Sequence, residues 1–194
     1  MIRPIAAIAA SALAALSAGC ASTPSHLYTL SPASTATGTA DPSLSKLVIV
    51  IGSVSIPAIV DLPQIVVQNG ANQVSVDEFN RWASPLRNNI ALVVGDNLAA
   101  LLGTASVSSV VSMDADYRVA IEVQTFRSAP GDAATLSALW TVRRVRDGKT
   151  ETGRTSDREA AAGGYAALAA AHSRALGRLS ADIADAIRAL DRAG

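Results

Sequence analysis

Cys20 is the single thiol of the chain, and the residues before it, Leu16-Ser17-Ala18-Gly19, say more about chemistry than any other stretch. Without a second cysteine it can form neither an internal disulfide nor a cysteine metal site, which leaves modification of the thiol itself. Only two histidines exist, His26 and His172, and either could act as a base or a ligand. His172 falls in an alanine-rich helical pattern, where a histidine is more often a packed or solvated residue. Neither histidine has a recognisable nucleophile beside it in sequence, and no Gly-x-Ser-x-Gly elbow occurs. Asp114 and Asp116 stand two apart but lack the further oxygen ligands of a calcium site. Gly163-Gly164 precedes a helical stretch without the patterns that cradle phosphate. Two Phe, two Trp and three Tyr are few for a sugar-binding cleft. These residue types argue against an enzyme: no catalytic or metal residue is assigned, and no cofactor is expected.

The chain ahead of Cys20 says which modification to expect. Met1 and Arg3 form a short basic start, and Ile5 to Leu16 is an apolar run broken only by Ser11. A bilayer-spanning helix needs about 20 apolar residues, so this run is a removable secretory signal ending in a small-residue cleavage site. Leu16 to Cys20 resembles the bacterial lipobox. That resemblance implies that the thiol receives a diacylglycerol, the chain is cut before Cys20, and the new amine is acylated. A single acyl chain binds a membrane only marginally, whereas several hold firmly. Residues 1–19 are therefore expected to be a lipoprotein signal peptide.

Cutting there leaves 175 of the 194 residues, the size of one domain, with 15 basic against 16 acidic side chains. So neutral a chain has no basic field to attract nucleic acid. Residues 20–45 read as a lipidated tether and linker, rich in Ser, Thr, Ala, Pro and Gly, with one short strand-like patch at His26–Leu30. A single domain is expected over residues 46–194.

Within it, Leu47–Ile51 is a run of apolar, mainly β-branched residues that predicts a strand buried on both faces and punctuated by Gly52. Ile56–Pro63 holds two prolines and cannot be a paired central strand. Gln64–Gln68 and Gln73–Val76 flank Asn69-Gly70 as a hairpin, and Asp77–Ala83 follows as a connection carrying Phe79 and Trp82. Ser84-Pro85 reads as an N-cap and first helical residue. A helix with apolar positions from Leu86 to Leu102 then ends at Gly103, with Arg87, Asn88, Asn89 and Asp96 on its outer face. Ala105–Val111 is β-prone, and Tyr117–Phe126 alternates apolar and polar residues. Thr135–Arg146 predicts another strand, turned at Asp147-Gly148 into Lys149–Thr152. The arginines 143, 144 and 146 read as a solvated strand edge, with an acidic partner as the alternative. A last helix runs from about Tyr165 to Leu190 with His172 on its apolar stripe. The fold class expected is α+β, a mainly antiparallel or mixed sheet with two long amphipathic helices packed on it.

Ile56-Pro57, then Asp61-Leu62-Pro63-Gln64-Ile65-Val66, then Phe79-Asn80-Arg81-Trp82-Ala83-Ser84-Pro85-Leu86, together with Tyr28-Thr29-Leu30, resemble the PqiC/YmbA family of ABC-type transport auxiliary lipoproteins. At Ile59 and Leu62 the chain departs from the aromatic and the arginine common in that family. The resemblance implies an outer-membrane lipoprotein on the periplasmic face. Its partners would be a periplasmic MCE-domain protein of a lipid transport system and further copies of itself. A contact surface for these partners is expected from Ile56, Pro57, Ile59, Leu62, Pro63, Gln64, Phe79 and Trp82, because proline-fixed turns lose little freedom on binding and Trp is a common interface anchor. For Phe79 and Trp82 the alternative, favoured because few other large side chains can fill the core, is that they plug it beneath the first helix. Two other readings stand beside this one. A lipid-binding carrier would need an apolar cavity, and a periplasmic hydrolase would need His172 lining a polar pocket.

Overall fold

Ile49, Val50 and Ile51 are buried on both faces and open β2 (Ile49–Ser55) at the heart of the larger sheet. The strand does not stop at Gly52; a register shift between Ile51 and Val54 absorbs the glycine. The computed structural model describes residues 24–33, 44–109 and 114–193. The signal segment, Cys20, residues 34–43 of the expected linker, and Val110 and Val111 lie outside the described residues.

β2 pairs in parallel with β5 (Val107–Ser108) on one side and with β6 (Tyr117–Ala129) on the other. β6 continues into an antiparallel meander with β7 (Ala133–Arg144) and β8 (Thr150–Ala160), giving the order β5-β2-β6-β7-β8. In β6 the alternation acts as its spacing predicts: Tyr117, Val119, Ile121 and Val123 are buried while Glu122 and Gln124 are exposed. β8 is much longer than the Lys149–Thr152 stretch expected, because alternate polar positions on an outer strand leave little apolar signal.

A second, three-stranded sheet has the order β1-β4-β3, with β1 at His26–Tyr28, β3 at Gln64–Gly70 and β4 at Gln73–Trp82. β3 and β4 form the expected hairpin, but residues 77–82 belong to β4 and are not a connection. Their backbone is paired from both sides, Arg81 with Gln64 of β3 and residues 80–82 in parallel with β1. β1 lies in the segment assigned to the tether, so residues 24–33 are folded onto the unit expected to begin at Lys46.

Helix α1 (Leu86–Leu102) starts one residue later than the sequence suggests. Pro85, with ψ 124°, is the capping residue rather than Ser84, and its carbonyl accepts from the N–H groups of Asn88 and Asn89 at 3.0 and 3.1 Å. Gly103 ends the helix at φ 70°, a conformation that suits a residue without Cβ. Helix α2 (Tyr165–Arg192) lays Leu168, His172, Leu176, Leu179, Ile183, Ile187 and Leu190 against α1, β7 and β8. The result is the expected α+β arrangement of two helices on a mixed sheet. Among the described residues no helix is long and apolar enough to cross a membrane.

Arg144 departs from the solvated edge expected of its cluster. It is 2% exposed, donates to both carboxylate oxygens of Asp147 at 3.1 and 2.6 Å, and donates to the Leu190 carbonyl. The Asp147 carboxyl is held down at about 2, chiefly by that guanidinium.

Across β7 and β8, Trp140 stands opposite Gly153, and its indole lies where a side chain would be. Its Nε1–H donates to Thr155 Oγ1 at 3.1 Å, and that hydroxyl donates to Asp182 at 2.5 Å, tying the strand pair to α2. A Cβ at position 153 would fall 2.2 Å from the Trp140 ring. Gly153→Ala is therefore expected to lower stability by about 1–3 kcal/mol, the range for overpacking, read as a shift of the urea midpoint with tryptophan fluorescence as probe.

Candidate functional site

The segment Ile56–Gln64 leaves the larger sheet, makes a single 3-10 turn at Ala58–Val60, and returns as β3. Two prolines set its path, and Asp61 is tied to Arg87 of α1 at 2.5 Å in a surface pair of little energetic weight. Between this turn, β3–β4 and the middle of β6 lies a groove of about 220 Å³. Pro57, Ile59, Val60, Val66, Val67 and Val74 supply its apolar walls, and Phe126 and Ser128 lie across from them. Ile59 is 56% exposed at its rim, Leu62 is 38% exposed nearby, and Pro63 is exposed. Ile56, Pro57 and Gln64 are half-buried.

Phe79 and Trp82, three residues apart, end on opposite sides of the surface. Between the paired rows Val66–Val76 and Gln64–Arg81, β3 has one residue and β4 has four, so residues 77–80 bulge outward. The Asp77 carboxylate closes the bulge by accepting the N–H groups of Phe79 and Asn80 at 3.0 and 2.8 Å, and the Tyr165 hydroxyl donates to it at 2.5 Å. Burial alone pushes the Asp77 carboxyl up, but these hydrogen bonds together hold it below its ordinary range. Burial, then the neighbouring carboxylate, drives the Tyr165 hydroxyl up to about 12. Phe79 is thereby presented to solvent at 43% exposure, whereas Trp82 is 6% exposed and fills the core.

Trp82 meets Phe126 and His172 edge-on, at 6.1 and 6.5 Å between ring centroids, and Phe126 stacks on the imidazole at 3.7 Å. His172 does have a serine partner, invisible in sequence because it is distant: Nε2 lies 2.8 Å from Ser128 Oγ. No carboxylate orients the ring, since Nδ1 is buried without a hydrogen-bond partner, and the side chain is fully buried. Desolvation lowers its pKa from 6.5 to about 3, so the imidazole is a neutral core ring. Asp116, the other sequence candidate, accepts the Val48 N–H at 2.8 Å and holds the start of β2. Among the described residues no cluster of His, Cys, Asp and Glu could hold a metal.

A feature that sequence reasoning missed is the strap formed by residues 28–33. The Leu30 N–H donates to Asn89 Oδ1 at 2.8 Å, the Ser31 N–H to Ser173 Oγ at 3.1 Å, and the Ala33 N–H to Asn97 Oδ1 at 2.9 Å. Asn97 also donates to Ser180 of α2 at 3.2 Å. Asn89, assigned to the outer face of α1, is 8% exposed because it turns inward to meet this strap. Leu30 is 3% exposed, and Gly177 makes room for Ala33, whose Cβ would sit 2.7 Å from a Cβ at position 177. The available signal was two asparagines eight residues apart on an otherwise apolar helical stripe. A second hollow, of about 550 Å³, lies beside Ala33, but its walls include Asp157, Glu159, Arg174 and Arg178, which do not suit an acyl chain.

Two outcomes follow from these contacts. Asn89→Ala would leave the Leu30 N–H buried without an acceptor, so a loss of about 1–3 kcal/mol is expected, with faster hydrogen exchange concentrated at residues 28–33. For His172 the unfolded chain binds a proton between pH 6.5 and about 3 that the folded chain does not. Its contribution to stability is therefore complete above that interval and is lost as pH falls through it, with a slope of at most about 1.4 kcal/mol per pH unit. His172→Gln should flatten the acid limb of urea-derived stability against pH relative to the parent chain.

Two crystal structures resemble this fold. One, of an uncharacterised protein, aligns with a TM-score of 0.70 and 20% identity over 85% of this chain and 99% of that one. The other, protein XCC0632 of the DUF330 family from Xanthomonas campestris, aligns with a TM-score of 0.60 and 21% identity over 81% of this chain and 92% of that one. At such identities the likeness speaks for the fold alone. A search of curated proteins gave no match. The model of one family matches residues 28–184, from the last residue of β1 through most of α2. The chain belongs to that family, the ABC-type transport auxiliary lipoprotein components.

Proposed function

We propose that this lipoprotein is a non-catalytic, outer-membrane component of an MCE/ABC-type lipid transport system. It docks a periplasm-spanning MCE-domain partner and assists lipid passage between the membranes. Cys20 carries the acyl anchor, and Ala21 stands where an aspartate retains many enterobacterial lipoproteins at the inner membrane. The observation that carries the reading is the family match over residues 28–184. The geometry supports it in two ways. His172, the side chain a hydrolase would need, is a neutral core ring behind Phe126. The apolar groove of about 220 Å³ falls below the roughly 300–1,000 Å³ of a ligand cavity, so it suits a partner side chain better than a carried lipid.

The docking surface is the groove rim at Ile59 and Val74, with the exposed Leu62 of the same proline-fixed turn. Several copies acting together as a homo-oligomer complete the proposal. A photoreactive residue in place of Ile59 or Val74, in cells carrying the membrane-anchored protein, should capture an MCE-domain protein identifiable by mass spectrometry. Capture of lipid alone at both positions would reject the adaptor in favour of a carrier. Ile59→Asp is expected to reduce capture about tenfold, the equivalent of about 1.4 kcal/mol.

A further inference from the structure

Pro24 is the first described residue and lies four positions beyond Cys20. An extended chain spans at most about 3.6 Å per residue, so a lipid on Cys20 is joined to the folded unit by a leash of no more than about 15 Å. The 28 residues of α2, at about 1.5 Å each, make a helix of about 42 Å. The leash is short against the length of the molecule, so where it leaves the fold decides which end meets the membrane.

α2 gives the molecule two distinguishable ends. At its start, Tyr165 donates to Asp77 at the β4 bulge and lies 5.9 Å, centroid to centroid, from the ring of Tyr28. At its finish, the Leu190 carbonyl accepts from Arg144, and the Ala193 carbonyl accepts from Lys149 at 3.2 Å. The strap travels from the first end toward the second, with Tyr28 beside Tyr165, Ser31 on Ser173 and Ala33 against Gly177. Traced backward, the chain leaves toward Cys20 at the Tyr165 end. The parallel register of His26 with Asn80 sets the residues before His26 on the Phe79 side of the bulge.

Leu27, 65% exposed, and Phe79, 43% exposed, flank the place where the chain leaves this end. Scattered exposed apolar residues are ordinary on a protein surface; what distinguishes these two is the leash. Resting on the acyl anchor at Cys20, we propose that the Tyr165 end of the molecule is seated on the phospholipid surface, with Leu27 and Phe79 touching lipid. A leash of about 15 Å leaves no room for a folded protein between this end and the bilayer. The Asp77 hydrogen bonds hold the Phe79 backbone in place before any contact is made.

The test uses the full lipidated chain in vesicles of phosphatidylethanolamine with a minor share of phosphatidylglycerol, part of the lipid carrying brominated acyl chains. A fluorophore is placed on Leu27→Cys, on Phe79→Cys, or on Val145→Cys, the last being an exposed residue beside Arg144 at the far end. Brominated lipid is expected to quench the label at positions 27 and 79 several-fold more than at 145. Equal quenching at all three in protein that floats with the vesicles would overturn the seating and leave the anchor intact. Protein that neither floats nor carries acyl mass on Cys20 would overturn the anchor, and the seating with it. Leu27 and Phe79 contribute little to the core, so the two labels report independently in a folded chain.

Discussion

A backbone amide taken out of water must find an acceptor, and the buried amide of Leu30 finds Asn89 while the part-buried amides of Ser31 and Ala33 find side chains of the same two helices. That requirement explains residues that otherwise look misplaced. Asparagine is a mediocre helix former, yet Asn89 and Asn97 sit on the buried stripe of α1 because the strap needs their carbonyl oxygens. Gly177 stands on α2 where Ala33 must pass. An unpaired buried amide costs about 1–3 kcal/mol, a large share of the roughly 5–15 kcal/mol that holds a domain together. The strap thereby ties the helix pair to β1 and, through it, to β4.

The same economy of polar groups shapes the wall behind the groove. Phe126 faces the groove on one side and stacks on His172 on the other, while Ser128 hydrogen-bonds the imidazole. β6 is thereby joined to α2 through a ring that burial keeps uncharged. Trp82 completes the cluster from β4. Trp82, Phe126 and the His172 imidazole thus gather three rings at one place in the core.

What the sequence made legible were features whose cause is local. Alternation in β6 and the helical stripes of α1 and α2 are set by repeat lengths of 2.0 and 3.6 residues, and both appear where expected. The prolines of Ile56–Pro63 ruled out a paired central strand, and the segment is a turn in which Ile59 and Leu62 are exposed. What was hidden depends on distant partners. His26 pairs with Asn80, and Ser128 meets His172 across 44 positions, so neither could be read from spacing. The stretch around Asp77 looked like a loop because its alternation fails, and it fails because Asp77 satisfies two amides of the bulge itself. Tryptophan at position 82 and phenylalanine at 79 carry the same compositional signal, and only the bulge sends one inward and the other out.

β1 is parallel to β4, and the chain enters it from the side of Cys20. A force drawn through that end along the strand loads the hydrogen bonds between β1 and β4 side by side, in shear, instead of opening them one after another like a zip. The strap then adds its three amide contacts further along the same line. A pull on this end thus meets bonds arranged to share the load, and they lie within only ten residues, 24–33.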